Sequence, residues 1–342
     1  MARKRLPAAT SFKQQRLRAC SPILTPIPVI STFALIGVIF IPIGVVLLLE
    51  SQDITEIEIR YDKICRGLDT CSVNITVGKR MEGPVYFYYG LKNYNQNHRR
   101  YVKSRDDGQL AGDSTSASDA EEFCDPFTTL NDSGNNDDLF LPCGLIARSY
   151  FNDTFELLSE GGGARVPAPV PWTNDGVAWE SDLDQLYDNP KNGTPGICII
   201  PTVGEYCNGS VSGRADDGIC SGQVPDEVCY YENPDFVVWM RVAALPSFRK
   251  FHRIIPGGLN PGSYTVEIDN NYDVSEFDGE KLIIFSTSSW IGGKNEFLGI
   301  AYLVVGSFTL VLALIFLIKH KLSPRKFGDL SLLAHVDATF EQ

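Results

Sequence analysis

The chain has 342 residues, a formal net charge of −12 and an apolar fraction of 44%. That is enough chain for one large domain or two small ones. The acidic balance gives no basic surface of the kind nucleic-acid binding needs. The average hides unlike parts, which separate when the elements are taken in chain order.

Residues 1–26 hold six basic side chains (Arg3, Lys4, Arg5, Lys13, Arg16, Arg18) and no acid. The stretch 27–49, "IPVISTFALIGVIFIPIGVVLLL", is uncharged. It is long enough to cross a bilayer, which takes ~20 apolar residues. The run is too long for a signal-peptide core, and "LLLESQD" offers no small-residue cleavage site, so it reads as an uncleaved anchor. Pro28, Pro42 and Gly44 interrupt it, as neighbouring helices permit.

Residues 50–296 follow, with 39 acidic and 20 basic side chains. "DITEIEIRYD", "CSVNITVGK" and "GPVYFYYGL" alternate or carry β-branched and aromatic residues, which predicts strands. Val85, Phe87 and Tyr89 share one strand face. "NYNQNHRRYVKSRDDG" then packs Arg99, Arg100, Lys103 and Arg105 around Tyr94 and Tyr101. Residues 106–142 are polar and read as loops. "PCGLIARSYFNDTFELL" predicts a short helix and then a strand. Residues 159–235, rich in Gly, Pro, Asn and Asp, read as stapled loops. "DFVVWMRVAAL", "GSYTVEIDNNYDV" and "KLIIFSTSSW" return to strand character. The fold class that follows is a mainly antiparallel, sandwich-like β domain between two membrane spans.

The second span is 297–318, "FLGIAYLVVGSFTLVLALIFLI", also uncharged, with Gly299, Gly306 and Ala313 on one stripe. Small stripes let helices approach closely. They serve either the chain's own first helix or a partner. The tail 319–342 opens with Lys319, Lys321, Arg325 and Lys326. Positive flanks stay cytosolic, which puts both tails in the cytosol and residues 50–296 in the lumen or outside the cell.

Eight of nine cysteines lie in the middle segment, an even set that reads as four disulfides in an oxidising compartment. Five sequons fall there too, at Asn74, Asn131, Asn152, Asn192 and Asn208, with Pro195 weakening the one at Asn192. There is no G-x-S-x-G, H-E-x-x-H or P-loop pattern. Neither span contains an ionisable side chain of the kind an ion path uses. The residues give no catalytic group, cofactor site or metal site.

"SFKQQRLRACSPILTP", "ITEIEIRYD", "VYFYYGLKNYNQNHRRYVKSRDDGQL", "CGLIARSYFNDTFEL", "DFVVWMRVAALPSFRKFHRII" and "FDGEKLIIFSTSSWIGGKNEFLGIAYLVVG" closely resemble the Cdc-fifty (ligand-effect modulator) family. Its members are noncatalytic β-subunits of type IV P-type ATPases, the phospholipid flippases. The resemblance implies a heterodimer with a catalytic α-subunit, and a role in folding, ER exit and lipid translocation. It implies residence in the endoplasmic reticulum, the Golgi and endosomes, and the plasma membrane. It also implies a Cys124–Cys143 bridge and one bridge, Cys65–Cys71, in the first cysteine pair. The residues 198–229 look like an insertion. Three pairings of its cysteines are open, and the equal spacings favour the nested set Cys198–Cys229 and Cys207–Cys220. Partner contacts are expected at Phe12, Lys13, Gln14, Gln15 and Arg16 in the tail, at Arg99, Arg100 and Tyr101, and at Gly299 and Gly306. Two other readings are an oligomeric two-span ion channel and an adhesion or receptor ectodomain. The plain second span argues against a pore, and a receptor would not need two spans.

Overall fold

The computed structural model describes residues 10–17, 25–159, 168–190, 194–199 and 231–324. They form two units, a helix pair and a middle domain spanning Asp53–Lys294.

In the middle domain, period-two alternation sets one face of each long strand indoors. The strands are β1 (Glu56–Arg60), β2 (Thr70–Val77), β3 (Val85–Lys92), β4 (Phe140–Leu141), β5 (Thr154–Ser159), β6 (Ala168–Pro169), β7 (Ile197–Cys198), β8 (Phe248–Ile255), β9 (Gly262–Asp269) and β10 (Glu280–Ser286). One antiparallel sheet has the order β1-β10-β3-β8 and a second the order β2-β9-β5-β6. β4 and β7 form a small parallel pair. Cys71, Val73, Ile75 and Val77 of β2 and Val85 and Phe87 of β3 point inward, and together with Val266, Ile268, Ile283 and Phe285 they fill the space between the sheets. Phe87 sits at its centre, 4.8 Å from the Phe285 ring and 5.2 Å from that of Phe155. This is a sandwich of two antiparallel sheets.

Short helices lie in the connections: α2 (Arg99–Lys103), α3 (Asp107–Leu110), α4 (Ala117–Cys124), α5 (Leu145–Arg148), α6 (Glu180–Gln185) and α7 (Pro234–Met240). Two readings of the sequence change. The polar stretch 106–142 is not all loop: Asp106 caps α3, and Ser116 caps α4 through the Asp119 N–H. "DFVVWMR" is not a strand but α7. Asn233 accepts from the Asp235 N–H and Pro234 opens the helix, a start signal that outweighs the β-branched run behind it. Lys250 donates to the carbonyls of Val238, Trp239 and Arg241 and so closes the other end of α7. Trp239 is buried beside it, its Nε1–H on the Ile146 carbonyl at 2.7 Å.

Two buried ionic groups fix these layers. Lys281 on β10 donates to Asp153 Oδ2 at 2.6 Å, to Asn270 Oδ1 at 2.6 Å and to the Tyr272 carbonyl at 2.7 Å. Asp153 also accepts from Tyr61 Oη and from the Tyr272 N–H, both at 2.6 Å. Burial and the Asp153 charge push the Tyr61 hydroxyl well above its ordinary pKa, so it stays a donor. The second group is Asp235, 3.0 Å from His252 and 2.7 Å from Arg253. Burial alone would raise its pKa, but His252 and Arg253 outweigh burial and hold the carboxyl well below the ordinary range.

The other unit is α1 (Pro26–Asp53) against α8 (Phe297–Leu322). Each helix runs a turn past its uncharged stretch, and α1 continues through Pro42. Glycines seven apart on both helices set the contact. A Cβ on Gly44 would lie 3.0 Å from the Gly299 carbonyl, and one on Gly37 would lie 2.9 Å from that of Gly306. In return, a Cβ on Gly299 would meet Leu48 and one on Gly306 would meet Ile41 at 2.9 Å. The stripe packs on the chain's own first helix, and Gly37 belongs to it as much as Gly44 does.

Three outcomes follow from this packing. Lys281→Met leaves Asp153 buried and unpaired and should cost about 3–5 kcal/mol in urea unfolding, whereas the added substitution Asp153→Leu should recover part of it. Gly306→Leu should overpack the helix pair by about 1–3 kcal/mol, read as a lowered melting temperature in detergent. For Asp235 the folded pKa is depressed, so its stabilisation is complete above the unfolded value of about 3.9 and is lost as pH falls towards the folded one. The stability gap between wild type and Asp235→Asn should therefore narrow below about pH 4.

Candidate partner interface

The basic segment after β3 is a surface knob on a base built mainly of aromatic packing and side-chain hydrogen bonds. Tyr94 packs edge-on to Tyr101 at 6.1 Å and touches Trp239, Phe248, Tyr272 and Phe277. The Tyr101 hydroxyl bonds Ser149 Oγ at 2.8 Å, and burial, with Tyr94 beside it, lifts its pKa far above the ordinary value. Asn93, at φ 63°, donates to the Phe277 carbonyl, and Asn97 donates to that of Ala244. Gln96 is fully buried and accepts from the Ala243 N–H. Ser104 bridges the Cys124 carbonyl and the Leu145 N–H. Asp106 turns inward to cap α3 and to accept from Thr115 Oγ1 at 2.7 Å.

The cations on this base divide into two groups. Arg105 pairs with Asp107 at 2.9 Å. Arg99, Arg100 and Lys103 are exposed, and no carboxylate among the described residues lies within ion-pair reach of them. Among the described residues, the internal-pairing explanation of the knot therefore holds for Arg105 only. Tyr101 braces, and Arg99 and Arg100 face outward. Exposed Arg over an ordered aromatic base is the composition found where interfaces carry energy, and its planar donors suit carboxylates.

In the tail, residues 11–15 form a turn in which the Gln14 N–H reaches the Thr10 carbonyl at 2.9 Å and the Arg16 N–H reaches that of Ser11 at 2.7 Å. Phe12 stands 75% exposed on it, and Lys13, Gln14, Gln15 and Arg16 are exposed as well. The tail turn and the glycine stripe belong to one unit and the knob to the other. The glycines are covered by α1, as described above.

Disulfides join Cys65 to Cys71 and Cys124 to Cys143, with Cα separations of 5.4 and 5.6 Å. The second ties α4 to the segment entering α5, directly beneath the knob. Cys198 on β7 is also disulfide-bonded. The expected pairings Cys198–Cys229 and Cys207–Cys220 lie outside the described residues, as do the sequons at Asn192 and Asn208. Asn74 is exposed on the outer face of β2, with Thr76 on the same face. Asn131 is exposed in a turn at φ 54°. Asn152 is half-buried, between the ion-paired Asp153 and Phe151.

The LEM3 (ligand-effect modulator 3) family / CDC50 family profile matches residues 47–326. The chain belongs to this family. It is 41% identical to cell cycle control protein 50A of Bos taurus, over 94% of this chain and 91% of that one. It is equally identical to ALA-interacting subunit 3 of Arabidopsis thaliana, over 96% of this chain and 90% of that one. It is 33% identical to the phospholipid-transporting ATPase accessory subunit CRF1 of Saccharomyces cerevisiae, over 97% and 89%. The family match runs from the last turns of α1 through the middle domain and α8, and the relatives align over at least 94% of the chain.

Sequence reasoning missed what holds the knob in place. Asn93, Gln96 and Asn97 bond partners more than a hundred residues away, and no local pattern marks such bonds. Arg99→Ala with Arg100→Ala should change unfolding stability by no more than about 0.5 kcal/mol, as surface substitutions do. Tyr101→Ala should cost up to about 3 kcal/mol, and comparative urea titrations separate the two. Cys124→Ser removes the bridge under the knob at a cost of about 2–5 kcal/mol, and pulse-chase should show it retained before any transport step.

Proposed function

We propose that this chain is the noncatalytic accessory subunit of a phospholipid-transporting P-type ATPase, forming a heterodimer with the catalytic subunit. In this reading it supports the folding and ER exit of the complex and its lipid translocation. The observation that carries it is the end-to-end similarity to a named accessory subunit of such an ATPase in yeast, on a chain whose two apolar helices flank one sandwich domain. The positive tails put both termini in the cytosol and the middle domain in the lumen or outside the cell. The compartments follow the complex: endoplasmic reticulum, Golgi and endosomes, plasma membrane. Asn152, Asn74 and Asn208 are the first glycan candidates, with Asn131 and Asn192 behind them. The exposed tail turn at Phe12–Arg16 meets the partner's cytosolic side, and Arg99 and Arg100 meet its luminal loops.

The channel reading finds less support. The uncharged runs of the spans carry no Asp, Glu, Lys, Arg or His, and their small-residue stripes are spent on each other.

Affinity purification from native membranes should recover one large ATPase at unit stoichiometry, and lipid-stimulated ATP hydrolysis should depend on this chain. A symmetric homo-oligomer without an ATPase would overturn the proposal. Arg99→Ala with Arg100→Ala should fold and leave the ER, yet recover less ATPase. Normal recovery and normal lipid-stimulated turnover would remove the knob from the interface.

A further inference from the structure

Trp290 and Ile291 occupy the two central positions of a tight turn. Ser289 and Gly292 exchange both backbone hydrogen bonds at 3.0 Å, and Ser289 Oγ accepts from the Ile291 N–H at 3.3 Å. Turns of this kind favour Asn, Asp and Gly at the tip. Here the tip holds out an indole that is 75% exposed and an exposed Ile. Water is a poor place for such a pair, since apolar surface left in water forfeits its transfer free energy.

The chain is held by hydrogen bonds on each side of this turn. On one side Thr287 donates its N–H to the Thr55 carbonyl and accepts from the Thr55 N–H on Oγ1, both at 3.0 Å. Thr55 follows closely on Asp53, where α1 ends. On the other side the Asn295 N–H bonds Ser51 Oγ, in the last turn of α1, at 3.0 Å, and α8 begins at Phe297. The uncharged run of α1 stops at Leu49, before Glu50. A chain advances at most about 3.5 Å per residue, so Trp290 lies within roughly 10 Å of Thr287. Trp290 is also only five residues from Asn295, at most about 18 Å of chain, so the turn can reach the layer where hydrocarbon gives way to headgroups, about 5–8 Å deep on each side. Trp is enriched there because its ring is apolar and its N–H is not. Exposed cations lie close along the chain to the spans: Lys294, just before α8, and Lys79, which pairs with Asp53, where α1 ends, at 3.8 Å. Such groups meet lipid phosphates.

We propose that the Trp290–Ile291 turn is a membrane-inserting tip, its side chains seated in the headgroup layer of the leaflet on the middle domain's side, with Lys294 on lipid phosphate. The proposal goes beyond the accessory-subunit reading and rests only on the two helices spanning a bilayer.

None of the four tryptophans, Trp172, Trp179, Trp239 and Trp290, lies in a spanning helix. Quenching of tryptophan emission by lipid thus reports on the middle domain alone. The full chain is reconstituted without a partner in phosphatidylcholine vesicles whose acyl chains are brominated close to the carbonyl. The Trp290 signal is the wild-type emission minus that of Trp290→Phe, and Trp179→Phe gives the matching signal of another exposed indole as control. The Trp290 signal should be blue-shifted, lost in brominated vesicles relative to unbrominated ones, and protected from aqueous iodide, while the Trp179 signal ignores the bromine. A Trp290 signal that is water-like, open to iodide and indifferent to bromine overturns the proposal. So does a signal shielded only after a phospholipid-transporting ATPase is added, which would assign the turn to the partner. Because the measurement needs no ATPase, its failure is distinct from failure of the accessory-subunit reading.

Discussion

The middle domain is organised around one buried ammonium. Lys281 has three donors, and all three are spent, on Asp153, Asn270 and the Tyr272 carbonyl. Asp153 precedes β5 in one sheet, Lys281 lies on β10 in the other, and Asn270 and Tyr272 follow β9. A single charge pair thus fixes how the sheets meet at one end of the sandwich. Burying two charges is expensive, and their attraction offsets the cost only when the remaining hydrogen-bonding capacity is filled. Here Tyr61 and the Tyr272 N–H fill it on the carboxylate side. A misregistered strand would strand a charge indoors, so the pair penalises wrong arrangements more than it stabilises the right one.

From this node the rest of the domain follows in space. Phe151 precedes Asp153, stacks on Tyr89 of β3 at 4.0 Å, and contacts Tyr272 at 5.2 Å. Tyr272 in turn meets Tyr94 and Trp239. A continuous aromatic path therefore links the inter-sheet ion pair to the base of the basic knob. The knob is held by packing and by hydrogen bonds that do not use Arg99 or Arg100, and no described carboxylate pairs with either.

How far the sequence was legible depended on the range of the interaction. The spans, β1 to β3 and β10, and the α5–β5 sequence all follow from local periodicity and could be read. The helix α7 was misread because its apolar run suits a strand as well as a buried helix. The deciding signal, Asn-Pro-Asp at its start, is short. The short helices in 106–142 were missed because their apolar faces amount to one or two residues, Leu110 or Ala117 and Ala120. Lys281–Asp153 spans 128 residues, and nothing in either neighbourhood announces the other. Resemblance to the family supplied the bridge beneath the knob and the role of the whole. It supplied no register.

The helix pair limits how a partner can be engaged inside the membrane. Gly37, Gly44, Gly299 and Gly306 are closed off by one another's helices, so no third helix can use the small-residue stripe without prising the pair apart. What remains outward is bulky: Leu35, Val38, Val304 and Phe308 are all exposed. Apolar side chains gain nothing from the hydrophobic effect when they leave lipid for another helix, so association there must come from shape, close packing and displaced lipid. Contacts of that kind are individually weak and need alignment to add up.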